Sequence, residues 1–168
     1  IYIYAYATET FTYFDLTTPN NVRITSIVNH ILQDKDGNLW FSTNGQGLFR
    51  YNLSKNYLEQ YEFTSAFGIV ASTMADSDNQ IWALTNQGES GVYKLNKAEN
   101  KFEPFGLLYN AGNHHSQALA MLEDSEQTLW LGTWECGLQK IDKYTLQTTT
   151  YLHPTDGKGV THIPSLME

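Results

Sequence analysis

The sequence predicts an all-β fold made of repeated, four-stranded antiparallel units, and three observations lead to this prediction. Three copies of one pattern align on Trp40, Trp82 and Trp130, with spacings of 42 and 48 residues. Aromatic residues make up 14% of the chain, and these residues favour strands. No apolar pattern with the 3.6-residue period of a helix is visible. A four-stranded unit that repeats every 42–48 residues is typical of a β-propeller blade, so we expect a partial propeller.

Each copy carries the same residue types at the same places around its tryptophan. An Asp lies six positions before the Trp, a Thr lies three positions after it, and a Gly then opens the next strand. In chain order these are Asp34, Asp76 and Asp124, then Thr43, Thr85 and Thr133, then Gly47, Gly91 and Gly137. We expect the three tryptophans to fill the wedges between consecutive blades, which makes them packing residues rather than ligand-binding ones.

The first repeat shows how the pattern becomes four strands. Strand A is predicted at residues 26–32, strand B at Leu39–Thr43, strand C at Leu48–Asn52 and strand D at residues 58–63. The acidic turn at residues 34–38 joins strands A and B, because Asp side chains bond nearby backbone N–H groups in turns. Gly37 adopts a positive φ in this turn without steric cost.

The whole chain is predicted to be one propeller segment in five parts. Residues 1–21 end a preceding blade, residues 22–66, 67–108 and 109–155 are three blades, and residues 156–168 start a following blade. Glu168 then corresponds to Glu123 in the blade before it. Because a closed ring usually has about 4–8 blades, we expect the segment to self-associate or to be joined to the remaining blades of a longer chain.

Composition excludes several classes of partner. The net charge of −8 would repel a phosphate backbone, so we expect no nucleic acid. No apolar run approaches the roughly 18 residues of a membrane span, so we expect no membrane contact by this segment. A single Cys excludes an internal disulfide framework.

The stretch QDKDGNLWFSTNGQGLFRYN, residues 33–52, resembles the two-component regulator propeller repeat. Repeats of that family build the extracytoplasmic, periplasmic sensor region of hybrid two-component systems, best known from Bacteroides. The resemblance implies a sensor segment that binds a saccharide-like ligand, typically an oligosaccharide, and passes the signal to a histidine kinase outside this chain. It implies carbohydrate sensing and no enzymatic activity for the segment itself.

The residues offer little support for catalysis or metal binding. Asp34, Asp36 and Asn38 imitate the opening of a calcium loop, but the sixth position is Leu39 where an EF-hand requires Gly. Cys136 has no base at a recognisable spacing. We therefore predict no catalytic residue, no metal and no cofactor. A propeller-fold lyase or glycoside hydrolase, with its carboxylates on different blades, and a scaffold for protein partners stay open as alternatives.

Ligand binding is predicted at the edge where the repeats differ, since blade packing fixes the other positions. This edge combines the B–C loops at residues 44–47, 86–91 and 134–137 with the loops that lead into strand A, at 64–68 and 109–116. Their amides and acids can bond sugar hydroxyls, and Trp134 offers a face for a pyranose ring. The predicted ligand-binding residues are Asn44, Gln46, Asn86, Gln87, Glu89, Asn113, His114, His115, Trp134 and Glu135.

Overall fold

The computed structural model describes residues 2–14, 16, 21, 23–63, 68–85, 91–107, 117–134, 137–145, 147–151 and 162–168. These residues form one two-stranded sheet and three four-stranded sheets, and every pairing within them is antiparallel. The all-β, propeller-type fold class is therefore confirmed. In the part of the chain that is described, no helix is long and apolar enough to cross a bilayer.

The three four-stranded sheets follow one another along the chain, and we name them blades 1, 2 and 3. Blade 1 contains β3 (Val28–Gln33), β4 (Leu39–Thr43), β5 (Leu48–Asn52) and β6 (Tyr57–Tyr61). Blade 2 contains β7 (Val70–Ala75), β8 (Ile81–Thr85), β9 (Gly91–Asn96) and β10 (Lys101–Leu107). Blade 3 contains β11 (Ala118–Glu123), β12 (Leu129–Thr133), β13 (Leu138–Ile141) and β14 (Thr148–Tyr151). The hairpin of β1 (Tyr2–Ala5) and β2 (Thr10–Tyr13) precedes them.

The middle strands of blade 1 match the prediction, while the outer strands differ by one or two residues at their ends. Strand A begins at Val28 rather than at residue 26, and strand D ends at Tyr61 rather than at residue 63. The register of β3 on β4 shifts between Val28 and His30. The first strands of blades 2 and 3 carry the same shift, between Val70 and Ser72 and between Ala118 and Ala120.

The core lies in the wedges between consecutive blades, as the sequence predicts. Trp40 is buried with Ile81, Tyr93 and Leu95 of blade 2. Trp82 is equally buried, in a cluster with Leu129 and other residues of blade 3. A buried aromatic of this size contributes about 3–5 kcal/mol to stability when compared with alanine. Trp130 is only partly buried.

The described residues at the two ends of the chain lie outside the three blades. The β1–β2 hairpin carries Tyr2, Tyr4, Phe11 and Tyr13 on one face, and each of these side chains is at least 39% exposed. Residues 162–168 form no strand, but Glu168 accepts hydrogen bonds from the Ser125 N–H and hydroxyl. Glu123 receives the same two bonds from Ser77. Residues 162–168 therefore occupy the position of a first strand next to blade 3.

Candidate functional site

The acidic turns hold the tryptophans in place. In blade 2, Oδ1 of Asp76 accepts the N–H groups of Asp78 at 3.0 Å and Gln80 at 2.8 Å. Its Oδ2 accepts the indole Nε1–H of Trp82 at 2.9 Å. Asp34 and Asp124 bind the indoles of Trp40 and Trp130 in the same way, at 2.8 and 2.6 Å. We call this arrangement the Asp–Trp latch.

The latch explains the six-residue spacing in the sequence. A carboxylate whose two oxygens accept backbone and indole hydrogens is satisfied without a cation. Gly37 has φ of 79°, and Asn79 and Gln127 take the corresponding place in blades 2 and 3 with φ of 57° and 63°. In the described ranges, no group of three His, Cys, Asp or Glu side chains is arranged to hold a metal ion.

The B–C loops are anchored by a second repeated set of hydrogen bonds. The hydroxyl of Thr43 donates to Gly47 O at 2.7 Å, and that of Thr133 donates to Gly137 O at 2.8 Å. The loop N–H groups of Asn44 and Trp134 each donate at 2.9 Å to the segment before strand A, at Ile27 O and Gln117 O. Asn44 and Trp134 therefore occupy equivalent positions on blades 1 and 3.

The structure places three of the predicted ligand-binding residues. Asn44 and Trp134 are exposed at the edge where the B–C loops lie. Gln46 is hydrogen-bonded within the protein: its Oε1 accepts the N–H groups of Thr25 at 2.7 Å and Ser26 at 2.8 Å, and its Nε2 donates to Arg23 O. The remaining predicted residues lie outside the described part of the chain, namely Asn86, Gln87, Glu89, Asn113, His114, His115 and Glu135.

Trp134 is the most prominent of the exposed candidates. Its side chain is 46% exposed, and its ring lies 3.9 Å from that of His162, with an angle of 60° between the planes. His162 begins the segment that packs beside blade 3, where Ile163 N donates to Thr133 O at 2.9 Å. Sequence reasoning did not select His162, although its position one period after Gln117 places it just before a first strand. The pair presents an aromatic surface at the edge where the B–C loops lie.

A buried lysine joins blades 2 and 3 away from this edge. The Lys143 ammonium is 2.7 Å from Asp78 Oδ2 and 2.8 Å from Glu123 Oε1, and its side chain is 3% exposed. Burial alone would lower the pKa of Lys143, but hydrogen bonds to Asp78 and Glu123 outweigh it and raise the pKa. The ammonium therefore stays protonated and serves as an ion-pair partner rather than a nucleophile.

Comparison with known proteins supports the family resemblance. The sequence profile described as "Two component regulator propeller" matches residues 20–45. No curated protein is significantly similar to this chain in sequence.

Solved structures share the fold across most of the chain. The extracellular domain of BT4673 from B. thetaiotaomicron, named as a one component system, has a TM-score of 0.71 and 20% identity, over 99% of this chain and 22% of its own. The extracellular domain of the hybrid two component system BT3049 from the same organism has a TM-score of 0.66 and 18% identity, over 89% and 20%. Virginiamycin B lyase from Staphylococcus aureus has a TM-score of 0.67 and 18% identity, over 90% and 48%.

The chain thus spans between about a fifth and a half of the length of these structures. Because their identities lie near 20%, the similarity concerns the fold. The repeated latches, the three successive blades and the profile match at residues 20–45 lead to one conclusion. The chain is a β-propeller segment that contains a two-component regulator propeller repeat.

Proposed function

We propose that this chain is an extracytoplasmic, periplasmic sensor segment of a two-component system. It binds a saccharide-like ligand at the edge formed by the B–C loops and passes the signal to a histidine kinase outside the chain. The profile match and the likeness to extracellular domains of Bacteroides systems support the sensor part of this proposal.

The observation that carries the ligand-binding part is the half-exposed indole of Trp134. Packing explains the other three tryptophans, since each is held by a latch and two of them, Trp40 and Trp82, lie in wedges between blades. Trp134 has no latch, and its backbone is fixed at a loop that has Asn44 at the same position in blade 1. An aromatic ring held at a solvent-exposed site binds the apolar face of a sugar at low conformational cost.

The test is calorimetric titration of an oligosaccharide library against the protein and its Trp134→Ala variant. We expect the variant to lose about tenfold or more in affinity, because a recognition tryptophan is commonly worth over 1 kcal/mol. Its melting temperature should change little, since the side chain is 46% exposed. Tyr57→Ala is the matched control, because Tyr57 is 43% exposed and pairs with Asn52, at the end of the strands opposite to the B–C loop.

Unchanged affinity in Trp134→Ala would refute the placement of the site. An equal loss in Tyr57→Ala would show that the effect is not specific to the B–C loop edge. Gln46→Ala distinguishes a role in stability from a role in ligand binding. Because Gln46 holds residues 23–26 in place, we expect this substitution to lower the melting temperature rather than to act on affinity alone.

A propeller-fold lyase is the second candidate, and the structural likeness to virginiamycin B lyase favours it over a hydrolase. The two proposals differ in turnover. A sensor segment binds its ligand without changing it, whereas a lyase converts it. Product formation that is abolished by a single Asp, Glu or His substitution would support the lyase and contradict the sensor.

A further inference from the structure

A pocket of about 480 Å³ lies on the outer side of blade 2, at the end of the strands opposite to the B–C loops. Its wall combines apolar groups, Pro104 and Phe105, with the cations of Lys94 and Lys97, the amide of Gln80 and the carboxylate of Glu103. The volume is in the range of sites that bind small molecules. Because it lies at the opposite end of the strands, this pocket is separate from the B–C loop edge of the proposed function, and a ligand bound here is additional to that function.

Lys94 is the feature of this pocket that requires an explanation. Its ammonium lies 5.1 Å from the ring centroid of Trp82 and 5.8 Å from that of Phe105, on the face of the two aromatic rings. The side chain is partly buried, and no carboxylate of the described residues forms an ion pair with it. A cation at a pocket wall that has no carboxylate partner is available to pair with a bound anion.

In blade 1 the cation at the position of Lys94 is Arg50, and its charge is neutralised by a carboxylate. Arg50 lies 5.6 Å from the ring centroid of Trp40, but it also forms a 2.5 Å ion pair with Glu59. Asn100 from blade 2 then covers the pair, because it donates to Glu59 Oε1 at 2.6 Å and accepts the Tyr61 hydroxyl at 2.8 Å. Because Glu59 pairs with Arg50 and Asn100 binds Glu59, the charge of Arg50 needs no further counterion.

In blade 2 the corresponding carboxylate, Glu103, lines the pocket but forms its ion pair with Lys101 rather than with Lys94. Glu103 pairs with Lys94 in the strand register, yet its Oε1 accepts from Asn96 Nδ2 at 3.2 Å and lies 3.8 Å from Lys101 Nζ. Phe105 stands where blade 1 has Tyr61, so no phenol is present to bridge the carboxylate. The Lys94 ammonium is left facing the pocket beside an aromatic wall.

We propose that this pocket binds a hexuronate, a sugar ring that carries a carboxylate. The carboxylate pairs with Lys94, with Lys97 as a second cation at the rim. The Oε1 of Gln80 accepts a ring hydroxyl, since its Nε2 already donates to Leu95 O at 2.8 Å. The apolar face of the ring lies against Pro104 and Phe105. Charge-assisted hydrogen bonds of this kind are about twice as strong as neutral ones, which makes the carboxylate the main determinant of affinity.

The test is calorimetric titration of D-galacturonate against the full 168-residue chain at low ionic strength. We expect measurable binding, with about tenfold weaker affinity for D-galactose, which lacks the carboxylate. Acetate, which lacks the ring, should also bind about tenfold more weakly. Lys94→Gln should lose about tenfold in galacturonate affinity. Lys140→Gln is the matched control, because Lys140 lies 5.9 Å from the Trp130 ring at the same position of blade 3.

Equal affinity for galacturonate in Lys94→Gln and in the unmodified chain would overturn the proposal. If galactose bound as tightly as galacturonate, the role of the carboxylate would be refuted. If acetate bound as tightly, the role of the sugar ring would be refuted. If Lys94→Gln does not fold, Lys97→Gln decides, since Lys97 is exposed on a turn and should still weaken binding severalfold. Lys94→Gln tests this pocket alone and Trp134→Ala tests the B–C loop edge alone, so failure of this proposal is distinguishable from failure of the proposed function.

Discussion

Asp76 offers the sharpest test of the latch, because it supports a tryptophan that is entirely buried. Asp76 is 2% exposed and Trp82 is 0% exposed, and the hydrogen bond between them is 2.9 Å long. In Asp76→Ala the indole N–H would be stranded in the core, while the turn N–H groups could still reach water. Loss of a charged acceptor and burial of an unpaired donor should together cost about 3 kcal/mol. For a chain of this length that corresponds to a fall in melting temperature of about 6–12 °C.

Asp124→Ala is the matched control. Asp124 makes the same three hydrogen bonds, at 3.0, 2.8 and 2.6 Å, but both it and Trp130 are partly exposed. Asp76 additionally lies 3.9 Å from the buried Lys143 ammonium, and no ion pair of the described residues involves Asp124. Water can replace the lost carboxylate there, so we expect a clearly smaller fall in melting temperature. Thermal unfolding followed by circular dichroism at neutral pH measures both shifts. Equal shifts in the two variants, or no shift in Asp76→Ala, would refute the argument that buried latches stabilise the blades.

Two further predictions concern charge and association. Burial alone would raise the pKa of Glu123, but hydrogen bonds from Lys143 and Ser77 outweigh it and hold the pKa below the usual 4.5. The stability that Glu123 contributes is therefore complete above about pH 4.5 and is lost as the pH falls through the lower folded-state pKa. Melting temperatures measured across this range should fall less steeply in Glu123→Gln, and an identical slope would contradict the ion-pair role. We also expect the 168-residue chain to self-associate in light scattering, with little dependence on salt, because the exposed aromatic face of the β1–β2 hairpin is apolar. A stable monomer at high concentration would contradict this expectation.

Much of the blade architecture could be predicted from the sequence because the repeat fixes it. Strands at Leu39–Thr43 and Leu48–Asn52 are bounded by an Asp-rich turn and by glycines, so their ends are marked chemically. The ends of strand A are not marked in this way. The register shift between Val28 and His30 depends on pairing with β4, which no local pattern reveals. The indole bond of the latch was missed for a related reason, since it depends on the turn folding back over the next strand.

The site was harder to predict, because a polar loop residue has the same chemistry whether it binds a ligand or the protein itself. Gln46 and Asn44 are both loop amides two positions apart. Gln46 is held by the backbone of residues 23–26, which is about twenty positions away in sequence. Lys94 shows the opposite case, since its register partner Glu103 suggests a satisfied pair while the structure turns that carboxylate toward Lys101. In both cases the side-chain partner decides the role, and partners are set by tertiary packing.

Packing between neighbouring blades also affects the geometry of the proposed ligand-binding edge. The residues two positions after Trp82 and Trp130 differ in size, and the residues packed near them differ in the opposite sense. Leu84 and Ala118 lie in one cluster between blades 2 and 3, whereas Gly132 is matched by Ile163. A Cβ added at Gly132 would lie 2.4 Å from Ile163 O, so only glycine allows residues 162–168 to approach blade 3 this closely. Because His162 precedes Ile163 and contacts the ring of Trp134, the size of residue 132 determines where that ring is supported. The loops vary between blades, but their geometry depends on paired changes in the core beneath them.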